Sequence, residues 1–166
     1  MYAIPYSNKR YTNILNKEKR AMAPLQRRAL YGLIFGIGWS VAIITVFLTQ
    51  GGIDAFNTDA EFRLLVDGLW VGGLVAYLIL FRTIIGKPGK YDERDQLIMD
   101  RSPRVQWLSV IISLVVWVLV LSEVYHQAGQ IPVVFLFLIF MSSLIVSMIA
   151  QSVGILLGYR SMERNA

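Results

Sequence analysis

The sequence predicts an all-α, polytopic membrane four-helix bundle, with both termini on the cytoplasmic side and a short cytoplasmic helix between the second and third spans. Three observations predict it. The 166-residue chain is 55% hydrophobic and only 16% charged, with a mean hydropathy of +0.54. Its charges are clustered, and the clusters are separated by four apolar runs of about the 20 residues needed to cross a hydrocarbon core. Nearly all the basic residues fall on one side of those runs.

The first run covers about 30–49, the second 64–85, the third 104–124 and the fourth 131–158. They divide the chain into a polar, basic N-terminal segment (1–24), a membrane domain (25–160) and a short tail (161–166). No small-residue cleavage site follows a short apolar region near the start, so no removable signal peptide is expected. Boundary chemistry supports the spans. Thr58 and Glu61 have capping-box spacing before the second. Ser102 and Pro103 place a hydroxyl ahead of a first-turn proline for the third, and Pro132 does the same for the fourth. Gly86, Pro88 and Gly89 stop the second span, while Gly129 and Pro132 separate the third from the fourth. β-Branched pairs such as Val115-Val116 raise the competing reading of membrane strands. Those are about ten residues long and alternate apolar with polar, which these runs do not. A lone spanning segment satisfies its own backbone only as a helix.

Orientation follows from lysine and arginine. Lys9, Arg10, Lys17, Lys19, Arg20, Arg27 and Arg28 precede the first span. Arg82, Lys87, Lys90, Arg94, Arg101 and Arg104 flank the central loop, and Arg160 and Arg164 lie in the tail. Of the 16 basic residues only Arg63 lies elsewhere, among Asp54, Asp59, Glu61, Asp67 and Glu123. The basic faces are therefore expected in the cytoplasm. The same distribution accounts for the net charge of +5 through contact with anionic lipid, and no nucleic-acid motif accompanies it. Residues 11–20 mix Ile14 and Leu15 with basic positions, as either a surface-lying helix or a polar tail would.

Several chemistries are excluded. With no cysteine there is neither a disulfide framework nor a thiolate metal site, and the single histidine, His126, rules out a histidine cluster. Gly36-Ile37-Gly38 lies inside an apolar span, where it cannot serve as a soluble phosphate loop. No nucleophile-base pair or metal-ligand spacing appears, so neither enzymatic activity nor a cofactor is expected. Small residues recur four apart at Gly32/Gly36, Gly68/Gly72, Ser143/Ser147 and Gly154/Gly158. This spacing lets helices approach closely, within one bundle or between the protomers of a homo-oligomer. Ser142, Ser143, Ser147, Gln151 and Ser152 form a polar stripe expected to face the bundle interior. Asp67, Glu123 and His126 are the ionisable groups near membrane depth, where burial is costly. Each lies near the outer end of its span, and Asp67 is one turn from a partner in Arg63.

The most distinctive stretch is the central loop. Lys87-Pro88-Gly89-Lys90 reads as a turn, and 92–100 as a short helix with acidic residues in its favourable first turn. Leu97, Ile98 and Arg101 share one side, predicted to rest on the bundle while the acidic side meets the cytosol. Asp92, Glu93, Arg94 and Asp95, followed by Ile98 and then a span, resemble the signature of small bacterial four-span proteins grouped as a domain of unknown function, the DUF2178 type. The resemblance covers the loop and its flanking helices, not the N-terminal segment. It implies a multi-pass protein of the bacterial inner membrane and supplies no activity. Two functions follow as expectations. The first is a non-enzymatic scaffold or regulatory protein that docks a cytosolic or membrane protein partner through Asp92, Glu93, Arg94, Asp95, Ile98 and Arg101. The alternative is a small transporter or accessory transport subunit, with Asp67, Glu123, His126 and Gln151 as its intramembrane polar groups.

Overall fold

A computed structural model describes residues 22–85 and 92–164. The stretch at 11–20 and the turn at 87–90 lie outside the described residues. Five helices are present among those described: α1 (Pro24–Thr49), α2 (Gly52–Thr58), α3 (Ala60–Ile85), α4 (Glu93–Tyr125) and α5 (Val134–Arg164). All but α2 are long and apolar enough to cross a membrane.

Pro24 opens α1, where a missing N–H leaves no hydrogen bond unmade. The helix has 26 residues, about 39 Å at 1.5 Å per residue. Gly51 (φ 97°) and Gly52 (φ 67°) then reverse the chain, a conformation glycine adopts without strain. What reads in the sequence as a plain loop is here the seven-residue α2. Its Phe56 packs against Phe47, Phe62 and Phe137 at centroid distances of 6.2, 6.4 and 6.1 Å.

The cap of α3 is not the predicted capping box. Thr58 closes α2 instead, its hydroxyl donating to the Asp54 carbonyl at 2.8 Å. Asp59, one residue on, accepts from the N–H groups of Glu61 (2.9 Å) and Phe62 (3.4 Å). A hydroxyl already turned back into one helix is not free to start the next, and the adjacent carboxylate takes over the exposed donors.

The central loop departs further from expectation. The predicted separate helix at 92–100 and the third span are one helix of 33 residues, capped by Asp92, with Pro103 inside it. Ser102 is therefore not a cap. Proline lacks the N–H that would bond to Met99, four residues back, and the Ser102 hydroxyl donates to that same Met99 carbonyl at 3.3 Å. The freed acceptor is satisfied locally, and the helix continues. At about 50 Å, α4 exceeds a hydrocarbon core of about 30 Å, so its charged first turns stand outside the spans. Gly129 (φ 64°) ends this passage, and its N–H donates to the Tyr125 carbonyl at 3.2 Å. The Pro132 carbonyl accepts from the Phe135 N–H at 3.0 Å, so this proline precedes α5.

Packing follows the glycines. On α5, Gly154 lies against Ser102 and Val105 of α4, and Gly158 against Ile98. On α1, Gly32 meets Ser152 and Gly36 meets Met148 and Ile149 of α5. On α3, Gly73 receives the Trp39 indole of α1, whose Nε1–H donates to the Leu69 carbonyl at 3.3 Å. The main seams are thus α4 with α5, α5 with α1, and α1 with α3, while α3 and α4 share no seam of comparable extent. Phe62, Val66 and Trp70 of α3 also share a buried cluster with Ile145 and Met148 of α5, and the Trp70 and Phe137 rings meet edge-on at 6.1 Å, so α3 rests on both α1 and α5 while α4 packs on α5. That cluster, with Trp39 and Ile43 of α1, lies between two smaller ones toward the two ends of the helices. Leu25, Ala29, Ile98, Ile155 and Tyr159 gather at the basic end, and Leu121, Val134 and Phe135 at the opposite end.

Candidate functional site

The site is built where α4 leaves the spans at the basic end. Asp92 caps the helix with its carboxylate accepting from the Glu93 N–H at 2.8 Å. Glu93 and Asp95 fill the first turn, where the partial positive charge of the helix start favours acids. From there the residues alternate between two fates.

One stripe turns inward. Asp95, Ile98 and Ser102, spaced by three and four residues, are all buried. Ile98 is 1% exposed and lies against Gly158, where an added Cβ would come within 2.9 Å of its Cγ2. Asp95 accepts a hydrogen bond from the hydroxyl of buried Tyr159 on α5. Arg94 frames the contact from its rim, with its guanidinium 5.4 Å from the Tyr159 ring centroid and its Nη2 donating to the Tyr159 carbonyl at 3.5 Å. Leu25 and Ala29 of α1 close the cluster. Three helices are therefore clamped at one point, with the buried carboxylate satisfied by a side chain from another helix.

The other side faces out. Asp92, Glu93, Arg94, Gln96, Leu97, Asp100 and Arg101 are exposed. This rotates the predicted inward face by a few residues: Leu97 and Arg101 do not rest on the bundle, and acidic Asp95 does. Of the six predicted docking residues, Asp95 and Ile98 belong to the interior, so the outward set reduces to Asp92, Glu93, Arg94 and Arg101. Tyr159 escaped the sequence reading, because a tyrosine near the end of a span signals only an interfacial anchor. Its proximity to Asp95, 64 residues away, has no local signature.

The intramembrane polar residues are not brought together. Asp67, Glu123 and His126 are exposed on separate parts of α3 and the end of α4, and Gln151 is half-buried on α5. Among the described residues no ion pair joins Asp67 to Arg63. The serine stripe does turn inward. Ser142 accepts from Trp117 Nε1 at 2.8 Å, and Ser147 accepts from Gln106 Nε2 at 2.6 Å. Ser152 is buried and donates to the Met148 carbonyl at 3.0 Å. These serines join α5 to α4 or bond back within α5. Among the described residues no group of three or more acidic or histidine side chains is placed to hold a metal ion. No family model, curated protein or solved structure matches the chain.

Proposed function

We propose that this is a non-enzymatic, multi-pass protein of a bacterial inner membrane that holds a rigid docking platform at the cytoplasmic face. Both termini and the start of α4 lie on that face, as the distribution of lysine and arginine supports. The observation that carries the reading is the clamp of Asp95 and Ile98 onto Tyr159 and Gly158. It holds the exposed charges of Asp92, Glu93 and Arg101 in fixed positions beyond the spans, so a partner that binds them meets a pre-ordered surface. The DUF2178-type motif divides accordingly. Asp95 and Ile98 set the geometry, and Asp92, Glu93 and Arg94 present it.

The test separates the two halves. An Asp92→Asn/Glu93→Gln/Arg101→Gln variant, in which asparagine keeps the helix cap and only exposed charges are removed, is expected to keep its thermal unfolding midpoint. It is also expected to lose the protein cross-linked to the wild type in native membranes. The same cross-linked partner, recovered in the same yield, would remove the docking proposal.

A further inference from the structure

α1 and α4 both pack on α5 but share no seam of comparable extent. The space between them holds a partly open, apolar cavity of ≈ 280 Å³, lined by Ile43 and Ile44 of α1, Trp70 of α3, Trp117 of α4, and Ile145 and Val146 of α5. That volume stands just below the range of about 300–1,000 Å³ typical of small-molecule sites, so it suits a compact ring system. Its depth is that of hydrocarbon. Trp70 lies about 15 Å along α3 from Ala60, and Trp117 about 12 Å before Tyr125 at the end of α4. Bulk water and the polar parts of phospholipids stay outside that layer.

The polar groups around the cavity have used their hydrogens, with one exception. The Ser40 hydroxyl donates to the Gly36 carbonyl at 2.8 Å. The Ser142 hydroxyl donates to the Ile139 carbonyl at 3.1 Å and accepts from Trp117 Nε1 at 2.8 Å. Trp70 is 3% exposed, yet among the described residues its Nε1–H has no hydrogen-bond partner. Trp39, with its ring centroid 5.5 Å from that of Trp70, has the Leu69 carbonyl as acceptor. A buried indole N–H usually finds an acceptor, and one left bare in an apolar medium is costly. An occupant that is mostly apolar and brings an acceptor removes that cost. An alkyl chain brings none, and two indoles in the lining favour a flat ring over a chain.

We propose that this cavity binds a lipophilic ring carbonyl, the chemistry of a membrane quinone, with the carbonyl oxygen accepting from Trp70 Nε1 and the ring held beside Trp70 and Trp117. The assignment involves no electron transfer and does not depend on the docking role of α4. Equilibrium dialysis of the purified chain in detergent micelles tests it, with menadione set against methylnaphthalene, the same fused rings without carbonyls. The chain has no cysteine to which menadione adds. After correction for uptake by empty micelles, the wild type is expected to bind menadione saturably and about fivefold or more tighter than methylnaphthalene, the factor that one neutral hydrogen bond supplies. The infrared carbonyl band of bound menadione is expected to lie below its position in empty micelles. Trp70→Phe is expected to bring the two affinities together and abolish the band shift while still binding methylnaphthalene, the sign of an intact cavity. Val146→Phe is expected to lose both probes by filling the space. Equal affinities or an unshifted band in the wild type would overturn the proposal, as would a preference that survives Trp70→Phe or binding that survives Val146→Phe. Loss of both probes from Trp70→Phe would assign the tryptophan to packing alone and overturn it as well.

Discussion

At the scale of single residues, two adjacent glycines on α3 have opposite roles. An ideal Cβ at Gly73 would lie 2.1 Å from Trp39 Cε2, while one at Gly72 would meet open space. Gly73→Ala is therefore expected to force α1 and α3 apart and to cost about 1–3 kcal/mol, the usual range for overpacking. Gly72→Ala should leave stability unchanged. Denaturant unfolding in mixed micelles reads both. The Asp95–Tyr159 contact is the second residue-scale determinant. Tyr159→Phe removes a side-chain donor to a buried carboxylate and is expected to cost about 1–3 kcal/mol. In an Asp95→Asn background the same change should cost less, since a neutral amide is less expensive to leave underbonded. Additive losses in that double-mutant cycle would show that the two groups do not interact.

At the scale of elements, helix boundaries depend on which polar group reaches an unpaired backbone atom. Asp59 starts α3, so Asp59→Ala is expected to cost about 1 kcal/mol of stability, with Thr58→Ala costing less. The reverse order would reinstate the capping box. In α4 the Ser102 hydroxyl stands in for the donor that Pro103 lacks. Ser102→Ala is expected to destabilise the start of α4 by about 1 kcal/mol, seen as faster amide exchange at residues 93–102. In a Pro103→Ala background the Met99 carbonyl regains a backbone partner, and the serine should become nearly dispensable. The proline was legible in the sequence as a break because proline usually is one. Here the residue beside it repairs the hydrogen-bond ladder, a relation that a list of breakers does not contain.

At the scale of the whole molecule, the lack of an extended seam between α3 and α4 follows from where the glycines are. Among residues 93–125, α4 has no glycine, and its close approaches use the glycines of α5. With α3 seated on α1 through Gly73, nothing comparable draws α3 to α4. Long apolar faces on both are left for lipid, and Leu64, Leu78, Trp107 and Leu119 are among their exposed residues. The absence of cysteine makes the proposed topology directly testable. Glu93→Cys is expected to react with an impermeant maleimide only after the membrane is opened, and Glu123→Cys in intact cells. Labelling of Glu93→Cys from outside would invert the proposed orientation.

The four long apolar helices, their approximate limits and the one-sided placement of basic charge along the sequence could all be read from the chain, because hydropathy and charge order are properties of position along it. The inward turn of the serine stripe was legible too, since polar side chains in lipid seek protein. The rotation of α4 was not. Asp95 and Leu97 differ by about 200° around the helix axis, and the choice between an acidic and an aliphatic inner face was made by Tyr159 and Gly158 on a helix far along the chain. The same holds for the glycines, whose four-residue spacing looks alike in each helix. Gly154 and Gly158 join α5 to α4, whereas Gly72 has nothing against it, and the difference lies in the neighbouring helix.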